Sequence, residues 1–261
     1  MNILHNKCII IGHLSLNELF IINGIVNYYT TIYDKVYLLC KQTDFDTINQ
    51  LFLDNNLIIP IGINFSQNIL PNNHPIFNEY SNLDIIRVGY NNSNWNLLKS
   101  KHVIGNIPYL YFKTIYTQLN LDYNIRYQFE KINRNYYAEE IFYSEVMKNY
   151  NNEYKFMYGI KENDTIENNI EDVPIFNPFI NYYNKHSKFN HLWNGKISNN
   201  MLDYCTILEK ANEIHLSYDF FLSLCMLLNL SNVKKKYVYT NITYIKDYHI
   251  NMKDWIIIYT L

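Results

Sequence analysis

The chain has 261 residues, 48% of them hydrophobic, and a formal net charge of −2, enough for one domain or two small ones with a core that needs no disulfides. The near-neutral charge gives no electrostatic reason for a nucleic-acid partner, and no apolar run reaches the roughly 18 residues of a membrane span. Cys8, Cys40, Cys205 and Cys225 stand far apart in apolar segments without Cys-x-x-Cys spacing, which predicts reduced core residues in a reducing compartment.

Lys7 to Gly12 is an apolar run closed by a glycine and predicts a buried first strand. Ser15 to Thr30 reads as one helix, with Leu16, Leu19, Phe20, Asn23, Val26 and Asn27 at helical spacing. Beyond a turn at Tyr33-Asp34 come a strand at Lys35–Cys40, a helix at Asp44–Leu53 and a strand at Leu57–Ile61. A polar stretch to Leu83 precedes another strand, Asp84–Val88. Strands alternating with helices predict βαβ units, a parallel sheet and right-handed crossovers. Asn91–Ser100 is loop-like and Phe112–Asn120 a short helix. Asn124–Arg134 mixes aromatic and charged residues, and the domain change is placed between Asn124 and Asn135. Asn135–Tyr150 follows as a helix and Tyr154–Ile160 as a strand. Asn163–Glu171 is a polar surface loop and Pro174–Pro178 a short extended segment. A helix from Met201, capped by Ser198 or Asn199, leads to a strand at Glu213–Leu216. A tight turn, an apolar helix from Phe220 and strands at Tyr237–Thr240 and Trp255–Tyr259 complete the chain. Only 7 glycines are present against 26 tyrosines, so few positions reach positive φ cheaply or let a phosphate approach the backbone.

No P-loop, Gly-x-Gly-x-x-Gly or Gly-x-Ser-x-Gly pattern occurs, which removes those nucleotide-binding and hydrolase readings. The 8 histidines show no His-x-x-x-His spacing, so no metal site is expected. Four stretches carry a resemblance. They are Asn23-Gly24-Ile25-Val26 with Tyr28 and Tyr29, the run from Tyr33 to Leu38, Pro174–Asn177, and Leu192–His215 with its Trp193-Asn194-Gly195, Asp203 and Glu213-Ile214-His215. Together they resemble the heptosyltransferase-like glycosyltransferases of the GT-B fold, in the small variant found in large DNA viruses and some bacteria. The resemblance covers nearly the whole chain. It implies an α/β protein of two Rossmann-like domains whose parallel sheets face across a cleft. An acceptor-side domain would span 1–128 and a nucleotide-sugar-side domain 129–261.

The resemblance also assigns roles. Glu18 stands where the family carries an acid in its first βα turn, with Ser15 and Asn17 in place of glycines. It would be the general base that takes the acceptor hydroxyl's proton as that oxygen attacks the anomeric carbon. Read alone, Glu18 is equally a first-turn acid interacting with the helix macrodipole. Arg126 and Arg134 resemble a family segment with two arginines before a helix and would hold the diphosphate. Read alone, they suit surface ion pairs with Glu130 or Glu139. Asn194 and the turn Ser217-Tyr218-Asp219 fall at donor-binding positions. Here Tyr218, Asp219 and Phe220 replace the family's Asp-Ser-Ser, and Tyr158-Gly159-Ile160 replaces its His-Asp-Asp. Without the resemblance, Trp193–Gly195 is a turn around a buried aromatic and Asp203 a solvent-facing helix acid. His215, alone in mid-strand, reads as a hydrogen-bonded core or rim residue.

The expected function is transfer of a sugar from a nucleotide-sugar donor to a glycan or other hydroxyl acceptor. No metal and no cofactor is implied, since the nucleotide sugar is itself the donor substrate. Residues 1–7 lack a signal peptide's charged start and apolar core, so a cytoplasmic location is expected, the host cytoplasm if the chain is viral. The altered turns leave a second reading: a degenerate, catalytically inactive GT-B domain that acts as a binding or scaffold protein. A third, an unrelated Rossmann-like nucleotide-binding protein, makes the helix and Glu-Ile-His matches a coincidence.

Overall fold

A computed structural model describes residues 6–12, 14–67, 70–71, 73–88, 115–148, 153–160, 175–176, 178, 198–217, 220–240, 252 and 254–259. The protein is α/β and divides into two compact units, Met1–Arg134 and Asn135–Leu261. Among the described residues each unit carries one parallel sheet. The expectations for Asn91–Ser100, Asn163–Glu171, Pro174, Asn194, Tyr218 and Asp219 lie outside the described residues.

In the first unit, β1 (Lys7–Ile11), β2 (Lys35–Lys41), β3 (Ile58–Ile63) and β4 (Asp84–Arg87) lie side by side in the order β3-β2-β1-β4. Central β1 is apolar from Cys8 onward because both of its faces are covered; Cys8, Ile9 and Ile10 have 0% exposure. Ile9 and Ile11 point to one face, where they pack with Leu14, Leu39, Leu70 and Ile76. Alternation along the strand sends Cys8 and Ile10 to the other. Full burial of each isoleucine contributes about 1.5–3 kcal/mol. All four cysteines are free and buried. Burial, and after it Asp84 or Asp44, pushes the Cys8 and Cys40 thiols up to about 12, which keeps them protonated and unreactive. The stretch read as polar up to Leu83 holds one helical turn, Ile76–Glu79.

The segment expected as one helix from Ser15 to Thr30 forms two, Leu16–Ile21 and Asn23–Tyr29, broken at Ile22 with φ −85 and ψ 3. The break turns Asn23 inward to a partner far along the chain. Asn23 Nδ2 donates to the Lys131 carbonyl at 2.6 Å, and Asn23 Oδ1 accepts the Lys131 N–H at 2.9 Å. Asn27 Nδ2 steadies the clamp by donating to Asn23 Oδ1 at 2.9 Å. Next to it, a Cβ on Gly24 would stand 2.8 Å from Arg126 Cα and 2.9 Å from the Arg126 carbonyl oxygen. Only a bare α-carbon lets the Asn23–Tyr29 helix approach the Ile125–Phe129 helix this closely. Tyr28 meets Phe129 edge-on at 5.5 Å across the same contact.

The second unit contains β5 (Lys155–Tyr158), β6 (Ile175–Phe176), β7 (Glu213–Ser217), β8 (Lys235–Thr240) and β9 (Trp255–Tyr259), in the order β6-β5-β7-β8-β9. The helix Tyr136–Met147 starts at Asn135, whose side chain accepts from the Ala138 N–H at 3.1 Å. The helix expected from Met201 is a 3₁₀ turn, Met201–Tyr204, running into an α-helix, Cys205–Lys210. Its cap is Asn200, which accepts the Leu202 N–H at 3.1 Å, rather than Ser198 or Asn199. Ser198 Oγ instead donates to Asp203 Oδ2 at 2.5 Å, so Asp203 serves the helix start. Phe156, Ile214, Leu216 and Val238 share one face of the sheet. On that side Phe156 meets Phe221 of the Phe220–Cys225 helix at 5.0 Å, and Tyr204 meets Phe221 at 5.4 Å.

The opposite face is polar. In register across β5, β7 and β8 stand Lys155 with Glu213 and Lys235, then His215 with Tyr237. Lys155, 2% exposed, pairs with Glu213 Oε2 at 3.3 Å, and Lys235 reaches Glu213 Oε1 at 3.4 Å. His215 Nε2 lies 3.2 Å from Glu213 Oε2 and Nδ1 3.0 Å from the Tyr239 hydroxyl. A carboxylate only accepts, so neutral His215 carries its proton on Nε2, and Tyr239 donates to Nδ1.

Burial lowers the His215 pKa below 6.5, against the pull of Glu213. Burial opposes ionisation of Glu213 too, but the His215 hydrogen bond and Lys155 hold that carboxyl below 4.5. Both groups therefore bind protons more weakly in the folded chain than in the unfolded one. Their stabilisation is complete above 6.5 and 4.5 respectively, and is lost as pH falls through the folded values.

Two predictions follow from these contacts. Gly24→Ala raises helix propensity, yet it lowers stability by about 1–3 kcal/mol through overpacking; a fall in urea midpoint at unchanged slope checks this, and a rise would refute it. Urea midpoints of the parent begin to decline as pH drops past 6.5, whereas in His215→Gln the decline starts lower, where Glu213 titrates.

Candidate functional site

Ligands of open parallel sheets lie outside the carboxyl ends of the strands, where the strand order reverses. In the first unit the reversal falls between β1 and β4, and in the second between β5 and β7.

At the first, β1 ends at Ile11 and Gly12, and the Val88 N–H donates to the Ile11 carbonyl at 2.9 Å. Ser15 then caps the helix Leu16–Ile21. Its Oγ accepts the Glu18 N–H at 3.4 Å and donates to Glu18 Oε2 at 2.7 Å. Ser15-Leu-Asn-Glu18 is thus a capping box in its spacing, with the Glu side chain returned to the cap residue. The two roles open to Glu18 share one geometry, a half-buried carboxylate in the first turn of a helix and just beyond the carboxyl end of β1.

A further cation stands here that sequence reasoning passed over. Arg87, the last residue of β4, is in register beside Ile11. Its guanidinium lies 4.1 Å over the Phe77 ring, a cation–π contact. The signal was present, since Arg87 is the only charge within the otherwise apolar run Ile85–Val88.

Arg126 is elsewhere. It is 2% exposed in the Ile125–Phe129 helix. Its Nε pairs with Glu130 Oε1 at 3.4 Å, and Nη1 donates to the Tyr123 hydroxyl at 3.0 Å. Burial works against its charge, but Glu130, Tyr123 and Tyr116 together hold its pKa above the ordinary value. Of the two roles open to Arg126 the structure has the ion pair with Glu130, in the interior and not at the surface. Arg134, half-buried, follows Glu130 in a run without regular secondary structure. Glu139, the other expected partner, is fully buried and accepts from Thr206 Oγ1 at 2.8 Å.

At the second reversal, Ser217 is the half-buried last residue of β7. Beside it β5 ends at Tyr158, and the chain leaves through Gly159 at φ 72, a left-handed conformation that glycine adopts at least cost. Tyr158 meets Phe220 at 5.5 Å and Phe221 at 4.8 Å, both edge-on. Aromatic rings therefore occupy the ground where the resembling family has polar turns. Asn194, Tyr218 and Asp219 lie outside the described residues. Among the described residues no three His, Cys, Asp or Glu stand close enough to hold a metal ion, and no helix is long and apolar enough to cross a membrane.

Removing Arg126 strands a carboxylate whose side chain is only 12% exposed. Arg126→Ala should cost about 3–5 kcal/mol, as breaking a buried ion pair does. Chemical denaturation checks this; an Arg126→Ala protein of parental stability would show that the pair is not structural.

No protein-family model matches the chain, and no curated protein matches it in sequence. Among solved structures it is similar to the glycosyl transferase family 9 protein from Veillonella parvula DSM 2008, with a TM-score of 0.50 and 8% identity. The alignment covers 100% of this chain and 87% of that one. At that identity the likeness is one of fold: a GT-B-like α/β chain with two Rossmann-like sheets.

Proposed function

We propose that the protein is a glycosyltransferase that moves a sugar from a nucleotide-sugar donor to a hydroxyl acceptor without a metal. The observation that carries this reading is the pairing of that fold with a carboxylate at the carboxyl edge of the first sheet, Glu18 held by Ser15 at 2.7 Å. In this reading the first unit serves the acceptor and the second the nucleotide sugar. Glu18 takes the proton of the attacking hydroxyl, and the O–H bond breaks as the new glycosidic bond forms and the nucleotide diphosphate departs. The Ser15 hydroxyl is a positioning group, since its hydrogen bond restricts the carboxylate to one rotamer at the turn. The resemblance assigns Arg126 or Arg134 to the departing diphosphate, whose growing charge needs a cation, and Arg126 is engaged by Glu130. Ser217 and the turn after it contact the donor.

A second reading has one observation in its favour. The Tyr158, Phe220 and Phe221 rings at the second reversal are what a domain that binds without turnover would carry in place of a phosphate-holding turn. The two readings part on one experiment. Nucleotide release from UDP-, GDP-, ADP- and CMP-sugars is followed with the parent and with Glu18→Gln, a substitution that retains the capping geometry. Transfer predicts release from one donor class and a fall of about 10²–10⁴-fold in kcat at little-changed KM in the variant. Binding of a nucleotide sugar with no release from any donor supports the non-catalytic domain, and full turnover by Glu18→Gln removes Glu18 as base.

A further inference from the structure

We infer that the reversal between β5 and β7 is a stacking platform for a planar heteroaromatic ring, so that the second unit takes hold of a nucleotide by its base. The inference rests on the nucleotide-sugar reading above and deepens it. Tyr158 closes β5 and Phe220 opens the following helix across the reversal, and both are partly exposed. Their centroids are 5.5 Å apart at 63°. Beneath them Phe221 is fully buried and touches both, at 4.3 Å from Phe220 and 4.8 Å from Tyr158. Two surface rings seated on a fixed third ring lose little conformational freedom when a ligand ring stacks on them. Gly159 follows Tyr158 in a left-handed conformation, φ 72, and sets no side chain over the ring.

The charges point the same way. The described residues at the carboxyl ends of β5, β7, β8 and β9 are Tyr158, Gly159, Ile160, Leu216, Ser217, Tyr239, Thr240, Ile258 and Tyr259, with no lysine or arginine among them. Lys155, Lys235 and Lys236 sit instead at the amino ends of β5 and β8, and Glu213 holds the first two. This edge therefore offers a diphosphate no described cation, whereas it holds two partly exposed aromatic rings beside Ser217 at the end of β7. Stacking of this kind tolerates many bases because every base has a π-face.

The test titrates the full chain with UDP, GDP, ADP and CMP, with the matching nucleosides and with inorganic pyrophosphate. The expected result is saturable binding of a nucleoside on its own. Phe220→Ala and Tyr158→Ala should each weaken nucleoside and nucleotide by the same factor, roughly 5- to 150-fold, the loss of one base–aromatic stack. Phe220→Trp should retain binding, and near-ultraviolet dichroism of each variant establishes that it is folded. Nucleotides that bind while their nucleosides do not, or affinities untouched in the folded Phe220→Ala and Tyr158→Ala proteins, would overturn the platform and leave the transferase reading standing. Nucleoside binding that needs Phe220, with no turnover of any nucleotide sugar, would keep the platform and remove the transferase. No binding of any nucleoside or nucleotide by the parent overturns the platform as well.

Discussion

The first unit depends on one close approach. The helix Asn23–Tyr29 touches the backbone of the Ile125–Phe129 helix at Gly24, and Asn23 pairs with both backbone groups of Lys131. A fully buried amide must have partners, because an unsatisfied one costs several kcal/mol. Asn23 thus admits essentially one docking of the 125–131 segment. That docking carries Arg126 into the interior, where Glu130 and Tyr123 must accompany it. The position and burial of the arginine follow from the close approach that Gly24 permits, and Glu130, Tyr123 and Tyr116 support its charge there.

The same contact explains why the part of the chain that most resembles a known family says most about architecture. Asn23-Gly24-Ile25-Val26 holds a helix pair together, whereas ligands of such sheets sit at the strand reversals. The sequence departs from the family pattern at those reversals, and there the chemistry differs in kind. The first reversal has a carboxylate set by a capping serine and an arginine stacked on Phe77. The second has aromatic rings and a hydroxyl. Likeness of the scaffold therefore carries the fold, and activity has to be argued at the two edges separately.

In the second unit the sheet itself is asymmetric. One face packs Phe156, Ile214, Leu216 and Val238 as a conventional core, while the other binds Lys155, Glu213, His215 and Tyr239 into a buried polar ladder. Burying charges costs desolvation that an apolar core would avoid. What the ladder supplies is registry: Glu213 meets Lys155 and Lys235 only when β5, β7 and β8 are aligned as observed, and a slip of one residue would turn each side chain to the other face. The same interlock makes this unit sensitive to acid.

How much could be read from the chain alone follows from the range of each signal. Apolar runs such as Cys8–Ile11 and Val36–Cys40 mark their strands, since a parallel strand buried on both faces must be apolar along its length. Their alternation with helices was sufficient for two parallel sheets. Capping is just as local, and Ser15 with Glu18 was readable as a pattern four residues long. The break at Ile22, the burial of Arg126 and the tautomer of His215 were not readable, because each is decided by a partner distant in sequence. Asn23 and Lys131 are 108 residues apart, and His215 and Tyr239 are 24 apart. Periodicity reports which face of an element is apolar; it is silent on which backbone will come to rest against that face. Residue types and local spacing thus determined the elements and the fold class. The aromatic residues Tyr158 and Phe220 in place of polar turns were legible too; tertiary packing alone decided that Arg126 is buried against Glu130 and that the Tyr158 and Phe220 rings meet over Phe221.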